Sequence, residues 1–267
     1  MTSKPFFSNL LIFTVSVFII SGQMINKKHP VNSEVIKAQE LKSIAIDKKH
    51  LLGQFNYKTD NGFVEVDAKY GNKKGMYLQK EVYEAFLKMK VAAAKDGITL
   101  IIVSATRNFN EQKMIWEAKW SGKKLVNSQN IYLTIKDPVE RAKTILNYSS
   151  MPGTSRHHWG TDIDLNSIDN SFFNTEKGIK LYNWLSNNAA TYGFCQPYTK
   201  KDIFRPNGYE EEKWHWSYLP IAKQYLTVYK NTITYSDITG FLGAETASKI
   251  DIIKNYIFGI NQDCNIP

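Results

Sequence analysis

Two short segments carry the side chains of a hydrolytic metal site. Ser155-Arg156-His157-His158-Trp159-Gly160-Thr161-Asp162-Ile163-Asp164 offers imidazoles and carboxylates, and Glu212-Lys213-Trp214-His215 adds another of each roughly fifty residues later. A catalytic zinc takes three N/O ligands and leaves its fourth position to water, whereas a structural zinc is closed by four protein ligands, commonly cysteines. The chain has only two cysteines, which excludes a closed cysteine site. Zinc lowers the pKa of a bound water to about 7. A carboxylate that is not a ligand must then carry the proton to the leaving amine. One zinc held by His157, Asp164 and His215, with Glu212 as general base and then general acid, meets these requirements. Gly160 would let the backbone turn between the first two ligands, because it has no Cβ to restrict φ.

The elements that must position these groups leave the ligand list open. A strand over Thr161 to Leu165 puts Asp162 and Asp164 on one face, so alternation does not choose between the two aspartates. His158 is in the same way an alternative to His157. Glu212 and His215 differ in parity along a strand, which predicts a turn or bulge at Glu212-Lys213 leading into a strand from Trp214 to Tyr218.

The pattern Ser-x-His-x-x-Gly-x-x-x-Asp followed by Glu-x-Trp-His resembles the VanY-type D-alanyl-D-alanine carboxypeptidases, zinc peptidases that trim peptidoglycan stem peptides. The resemblance implies His157, Asp164 and His215 as zinc ligands and Glu212 as the catalytic base, and so favours Asp164 over Asp162. The small residue usual two positions before the ligand aspartate is Asp162 here. Upstream, Leu100-Ile101-Ile102-Val103 reads as a buried strand running into Ser104-Ala105-Thr106-Arg107-Asn108. This is similar to the family's Ser-Gly-Tyr-Arg-Ser, with Ala105 and Thr106 in place of Gly and Tyr. Arg107 would grip a carboxylate or a developing oxyanion with parallel hydrogen bonds, and Ser155 and Gln112 are further substrate-binding candidates. The implied substrate is a stem peptide cut at its C-terminal D-alanine. The alternatives are an L,D-carboxypeptidase, an endopeptidase of the same fold, or a non-catalytic wall-binding protein.

Composition bounds the rest. With 267 residues, 43% of them hydrophobic, the chain can bury a substantial core. Lys+Arg of 34 against Asp+Glu of 25 gives a formal charge of +9. The lysines are dispersed and no nucleic-acid motif appears, so the reading is of no nucleic-acid partner and of a basic surface suited to an anionic wall or membrane. Lys4 precedes a mainly apolar stretch from Pro5 to Ile20, which reads as a signal peptide or an anchor over residues 5–21. The expected divisions are a signal or anchor over 1–24, a polar linker or early helix over 25–50, a catalytic domain over 51–230 and a helical extension over 231–267. The protein is expected to be an exported monomer, and export permits a Cys195–Cys264 disulfide.

Helices are expected over Gln79 to Lys95, Asn110 to Trp120, Pro138 to Tyr148, Thr175 to Tyr192, Tyr218 to Tyr229 and, in the tail, Glu245 to Tyr256. Several helices with few, separated strands give an α+β class, with a small antiparallel sheet carrying the zinc site and helices flanking it.

Overall fold

The structure is a computed structural model and describes residues 46–264. The signal or anchor expected over 1–24, and nearly all of the segment over 25–50, lie outside the described residues. Six strands and seven helices follow one another as α1 (Lys48–Leu51), β1 (Phe63–Glu65), β2 (Tyr77–Gln79), α2 (Lys80–Lys95), β3 (Ile102–Ser104), α3 (Phe109–Trp120), α4 (Ile131–Thr134), α5 (Pro138–Ile145), β4 (Asp162–Leu165), α6 (Glu176–Asn188), β5 (Phe194–Cys195), β6 (His215–Tyr218) and α7 (Leu219–Thr232). The class is α+β. No helix among the described residues is long and apolar enough to cross a membrane.

Four strands form an antiparallel sheet in the order β3-β4-β6-β5, while β1 and β2 pair separately. Alternation along β4 and β6 sorts the sheet into two chemistries. Ile163, Leu165, Trp216 and Tyr218 enter one hydrophobic core with Val82, Phe86 and Met89 of α2 and Leu181 and Leu185 of α6. The intervening residues Asp162, Asp164, His215 and Ser217 point to the other face, and all four are buried. A second core joins Trp116 and Trp120 of α3, Ile145 of α5 and Tyr225 and Tyr229 of α7 to the tail residues Ile250, Ile252, Ile257 and Ile260.

Local chemistry sets two of the helix starts, the one at Pro138 as expected and the other at Phe109, one residue before the expected Asn110. Asp137 caps α5 through the Glu140 amide, with Pro138 in the first turn where its missing N–H costs nothing. Asn108 and Glu111 form a reciprocal capping box on α3, which fixes the chain immediately after Arg107. The expected helix over Thr175 to Tyr192 is instead α6 followed by a 3₁₀ turn, Ala189–Tyr192, which stops at Gly193 with φ +83°.

The tail corrects one expectation. Glu245 to Tyr256 is not one helix but a 3₁₀ turn at Ala244–Thr246 and a π turn at Ile253–Ile257. Asp251 between them has φ +54°, a left-handed conformation that a continuing helix cannot contain. The tail is tied to the sheet by the Cys195–Cys264 disulfide, with Cα atoms 5.8 Å apart. It also packs Tyr256 against Tyr209, and the Asn261 amide donates to the Pro197 carbonyl.

Candidate metal and active site

The sheet register brings the distant segments together. Asp164 pairs with His215 across β4 and β6, and with Ser104 across β3 and β4. His157 enters from a 3₁₀ turn, Arg156–Trp159, which ends at Gly160 in the left-handed region with φ +70°. A Cβ on Gly160 would overlap the Phe63 ring, so glycine answers both the backbone angle and the close approach. The expected turn ahead of β6 is present: the His215 amide donates to the Glu212 carbonyl at 3.2 Å.

His157, Asp164 and His215 offer one ligand atom each within 4.8 Å of one another, and all three are buried. His157 Nε2 lies 3.4 Å from Asp164 Oδ2, and His215 Nδ1 lies 2.9 Å from Asp164 Oδ1. Ligands about 2.0–2.2 Å from a tetrahedral zinc stand roughly 3.3–3.6 Å from each other, so small side-chain shifts would bring the three atoms, now within 4.8 Å, onto one ion. Each imidazole is held by its other nitrogen. His157 Nδ1 is 2.8 Å from the Ala105 carbonyl, to which it must donate, leaving the Nε2 lone pair toward Asp164. His215 Nε2 is 3.0 Å from Asp162 Oδ2. The donor set and the fixed orientation of its rings fit a divalent cation.

Glu212 stands beside this set, its Oε2 3.6 Å from His215 Nδ1. Burial pushes its pKa up to about 8, with His215 opposing and Asp164 reinforcing the shift. Burial works against the ionised forms of Asp162 and Asp164 too, but their cationic partners outweigh it. Arg156 and His215 hold Asp162, and His157 and His215 hold Asp164, well below the usual carboxylate range. For His215, burial is outweighed by Asp162 and Asp164, which raise it to about 9. A Glu212 that gains and loses its proton close to neutral pH, next to a firmly anionic Asp164, is the contrast that one ligand and one acid–base group would require.

Arg107 borders the set, Nη1 4.0 Å from Asp164 Oδ2. Its Nη1 donates to Ser104 Oγ at 2.5 Å and its Nε to Gln112 Oε1 at 3.0 Å. The Gln112 amide nitrogen donates to the Ser150 carbonyl. Both ends of the Gln112 side chain are therefore engaged with protein, and Gln112 acts here as a brace for Arg107. Ser155 is buried, its hydroxyl has no hydrogen-bond partner among the described residues, and it lines the same cleft.

His158, the sequence alternative to His157, points away from the set. Its Nε2 accepts from the Gly153 amide at 3.0 Å, so its Nδ1 carries the proton and donates to the Arg107 carbonyl at 2.7 Å. Burial pushes its pKa down to about 3, keeping it neutral. The two adjacent histidines thus fasten the Arg156–Trp159 turn to the Ala105 and Arg107 carbonyls.

His157, Asp164, Glu212, His215, Arg107 and Ser155 line a cleft of about 240 Å³ with Lys119, Lys124, Tyr198 and Tyr209. The Tyr198 ring packs on the His215 ring at 4.7 Å. Lys119 donates to Ser149 Oγ and is pushed down to about 8 by burial, with Lys124 adding to the effect. No motif marked these four residues in the sequence: lysines and tyrosines are common, and only the fold gathers them here. Arg156 and Asp162 had a signal, a basic and an acidic residue inside an otherwise buried motif. They form a buried ion pair at 2.9 Å.

Three comparisons place the chain among known proteins. YodJ of Bacillus subtilis is 29% identical over 213 residues, covering 76% of this chain and 70% of YodJ. A D-alanyl-D-alanine carboxypeptidase of Enterococcus faecalis is 30% identical over 130 residues, 49% of this chain, and this chain spans 44% of that protein. Among solved structures, VanYB in complex with D-alanine-D-alanine superposes with a TM-score of 0.46 at 23% identity, covering 67% of this chain and 93% of VanYB. The family model described as VanY, D-alanyl-D-alanine carboxypeptidase, matches residues 75–221, a span that runs from just before β2 into α7 and holds both histidine segments. With more than half of its length inside that match, the chain belongs to the VanY family of D-alanyl-D-alanine carboxypeptidases.

Proposed function

We propose that the protein is a zinc-dependent carboxypeptidase that removes the C-terminal D-alanine of peptidoglycan stem peptides. The observation that carries this reading is the convergence of His157 Nε2, His215 Nδ1 and the Asp164 carboxylate in one cleft, with Glu212 beside them and not needed as a ligand. Its family and the E. faecalis relative, a D-alanyl-D-alanine carboxypeptidase, support the substrate class. Zinc, when bound, supplies a Lewis acid for the scissile carbonyl and a water acidic near neutral pH.

The residues of the chain supply the remainder. Glu212 takes a proton from the attacking water and returns it to the leaving amine, a task for which a carboxylate with a raised pKa is suited. Arg107, braced by Ser104 and Gln112, faces the negative charge that develops on the carbonyl oxygen or the carboxylate of the peptide end. Ser155 offers an uncommitted hydroxyl to the peptide. Lys119 and Lys124 make the cleft cationic beyond Arg107, which suits a ligand ending in a carboxylate. The substrate sets the compartment as the cell envelope, and the Cys195–Cys264 disulfide accords with an oxidising one. The chain acts there as an exported monomer, held or delivered by its N-terminal segment.

Digestion of defined pentapeptide and tetrapeptide muropeptides, with and without chelator, tests the proposal. The expected products are tetrapeptide and free D-alanine from the pentapeptide, abolished by chelator and restored by zinc. Preferred cleavage of the tetrapeptide would move the assignment to an L,D bond, and cleavage of cross-linked dimers would make the enzyme an endopeptidase. Undiminished hydrolysis in chelator would remove zinc from the mechanism.

A further inference from the structure

Asp162 occupies the position where the resemblance leads one to expect a small residue, and it is fully buried. Four donors converge on its carboxylate. Oδ1 accepts from Thr161 Oγ1 at 2.7 Å and from Ser217 Oγ at 2.8 Å. Oδ2 accepts from Arg156 Nε at 2.9 Å and lies 3.0 Å from His215 Nε2. Arg156 is itself buried, donating from Nη2 to Ser217 Oγ at 2.5 Å with its guanidinium 4.8 Å from the Trp159 ring centroid. A buried anion without such partners would neutralise itself or unfold the site, but here a cation and three further donors hold it ionised.

This arrangement fixes the far side of His215. Its Nδ1 faces Asp164 and Glu212, so the proton on Nε2 has one acceptor, Asp162. A carboxylate behind a ligating imidazole locks the ring's tautomer and orientation and raises its basicity toward the metal. We propose that Asp162, kept anionic by Arg156, is a positioning residue that strengthens the hold of His215 on the cation. The inference rests on the zinc reading of the site given above. It adds that this chain has placed a charged pair, Arg156 and Asp162, where a small residue would give His215 no anionic support.

The test uses the full chain and measures zinc affinity by competition with a chromophoric chelator, alongside the visible spectrum of the cobalt(II)-substituted protein. Asp162→Asn keeps size and an acceptor oxygen but removes the charge. It is expected to weaken zinc binding by about 10- to 100-fold and to shift the cobalt bands. Because Asp162→Asn leaves the Arg156 cation unpaired, Arg156→Gln/Asp162→Asn is measured with it. If Asp162 acts on His215 through its charge, the double variant binds zinc as weakly as the single one. Affinity restored in the double variant, or within twofold of the parent in folded Asp162→Asn, overturns the inference while leaving the zinc reading intact. A parent that neither binds zinc nor needs it for hydrolysis overturns both.

Discussion

Asp164 and His215 are register partners across β4 and β6, with Oδ1 and Nδ1 2.9 Å apart. Two of the proposed ligands, from segments some fifty residues distant, are therefore set side by side by main-chain hydrogen bonds, and the third, His157, is set by its bond to the Ala105 carbonyl. A site assembled in this way is organised by the fold and does not depend on the cation to gather its ligands. Replacing His215 by Ala is expected to abolish stoichiometric zinc binding, read by elemental analysis, while circular dichroism stays that of the parent. A variant with full zinc content would show that His215 is not a ligand.

Glu212→Gln separates metal binding from catalysis. The amide keeps the shape but cannot accept the proton of the attacking water. Zinc content is expected to be unchanged while kcat on a pentapeptide falls by about 10²- to 10⁴-fold, the range typical of a lost general acid–base group. Turnover near that of the parent would free Glu212 of the role.

Arg107 and Gln112 are expected to differ in a graded way. Arg107→Ala removes the charge that faces the cleft, and kcat/KM should fall about 10²- to 10³-fold, as for other lost oxyanion donors. Gln112→Ala removes the brace on Arg107 Nε together with the bond to the Ser150 carbonyl, and leaves the Arg107 charge in place. Its loss should be smaller, and absent when Arg107 is already Ala. Additive losses in the double variant would mean that Gln112 contacts the peptide directly.

His158 gives a pH dependence with a definite sign. Burial lowers its pKa from 6.5 to about 3 in the folded protein. Between those values the unfolded chain binds the extra proton and the folded one does not, so stability falls as pH drops through this window. The steepest contribution is about 1.4 kcal/mol per pH unit. Urea unfolding between pH 4 and 7, with chelator present, should show a shallower slope for His158→Asn than for the parent. Equal slopes would place the acid sensitivity elsewhere.

The Cys195–Cys264 bridge closes a loop with a sequence separation of 69. Cys195→Ser/Cys264→Ser is expected to cost about 2–4 kcal/mol in unfolding free energy, with the metal ligands intact. Unchanged denaturation midpoints would show that packing of the tail suffices without the bond.

The chemistry was more legible in the sequence than the scaffold around it. His157, Asp164, His215 and Glu212 stood out because metal ligands and acid–base groups come from a small set of residue types at short spacing, and the structure gathers these four. The start of α5 could be read because its cap and first turn are local, at Asp137-Pro138, whereas α3 begins at Phe109, one residue before the expected Asn110, where Asn108 and Glu111 cap it. The expected tail helix is broken where one non-glycine residue, Asp251, adopts a positive φ, which no local pattern announces. Asp162 and Asp164 could not be told apart by alternation since they do share a face. Their partners distinguish them, with Arg156 behind one and His157 before the other. Tyr198, Tyr209 and Lys119 entered the cleft unannounced because their neighbours there come from distant parts of the chain.

The wall of the cleft between β5 and Glu212 contains no helix or strand of its own, and it leans on the last residues of the chain. Asn261 anchors Pro197, Tyr256 abuts Tyr209, and Cys264 rivets the edge strand from which the wall departs. Changes among these tail residues would therefore reshape the Tyr198 and Tyr209 side of the cleft, while Asp164 and His215, held in register on β4 and β6, would keep their places.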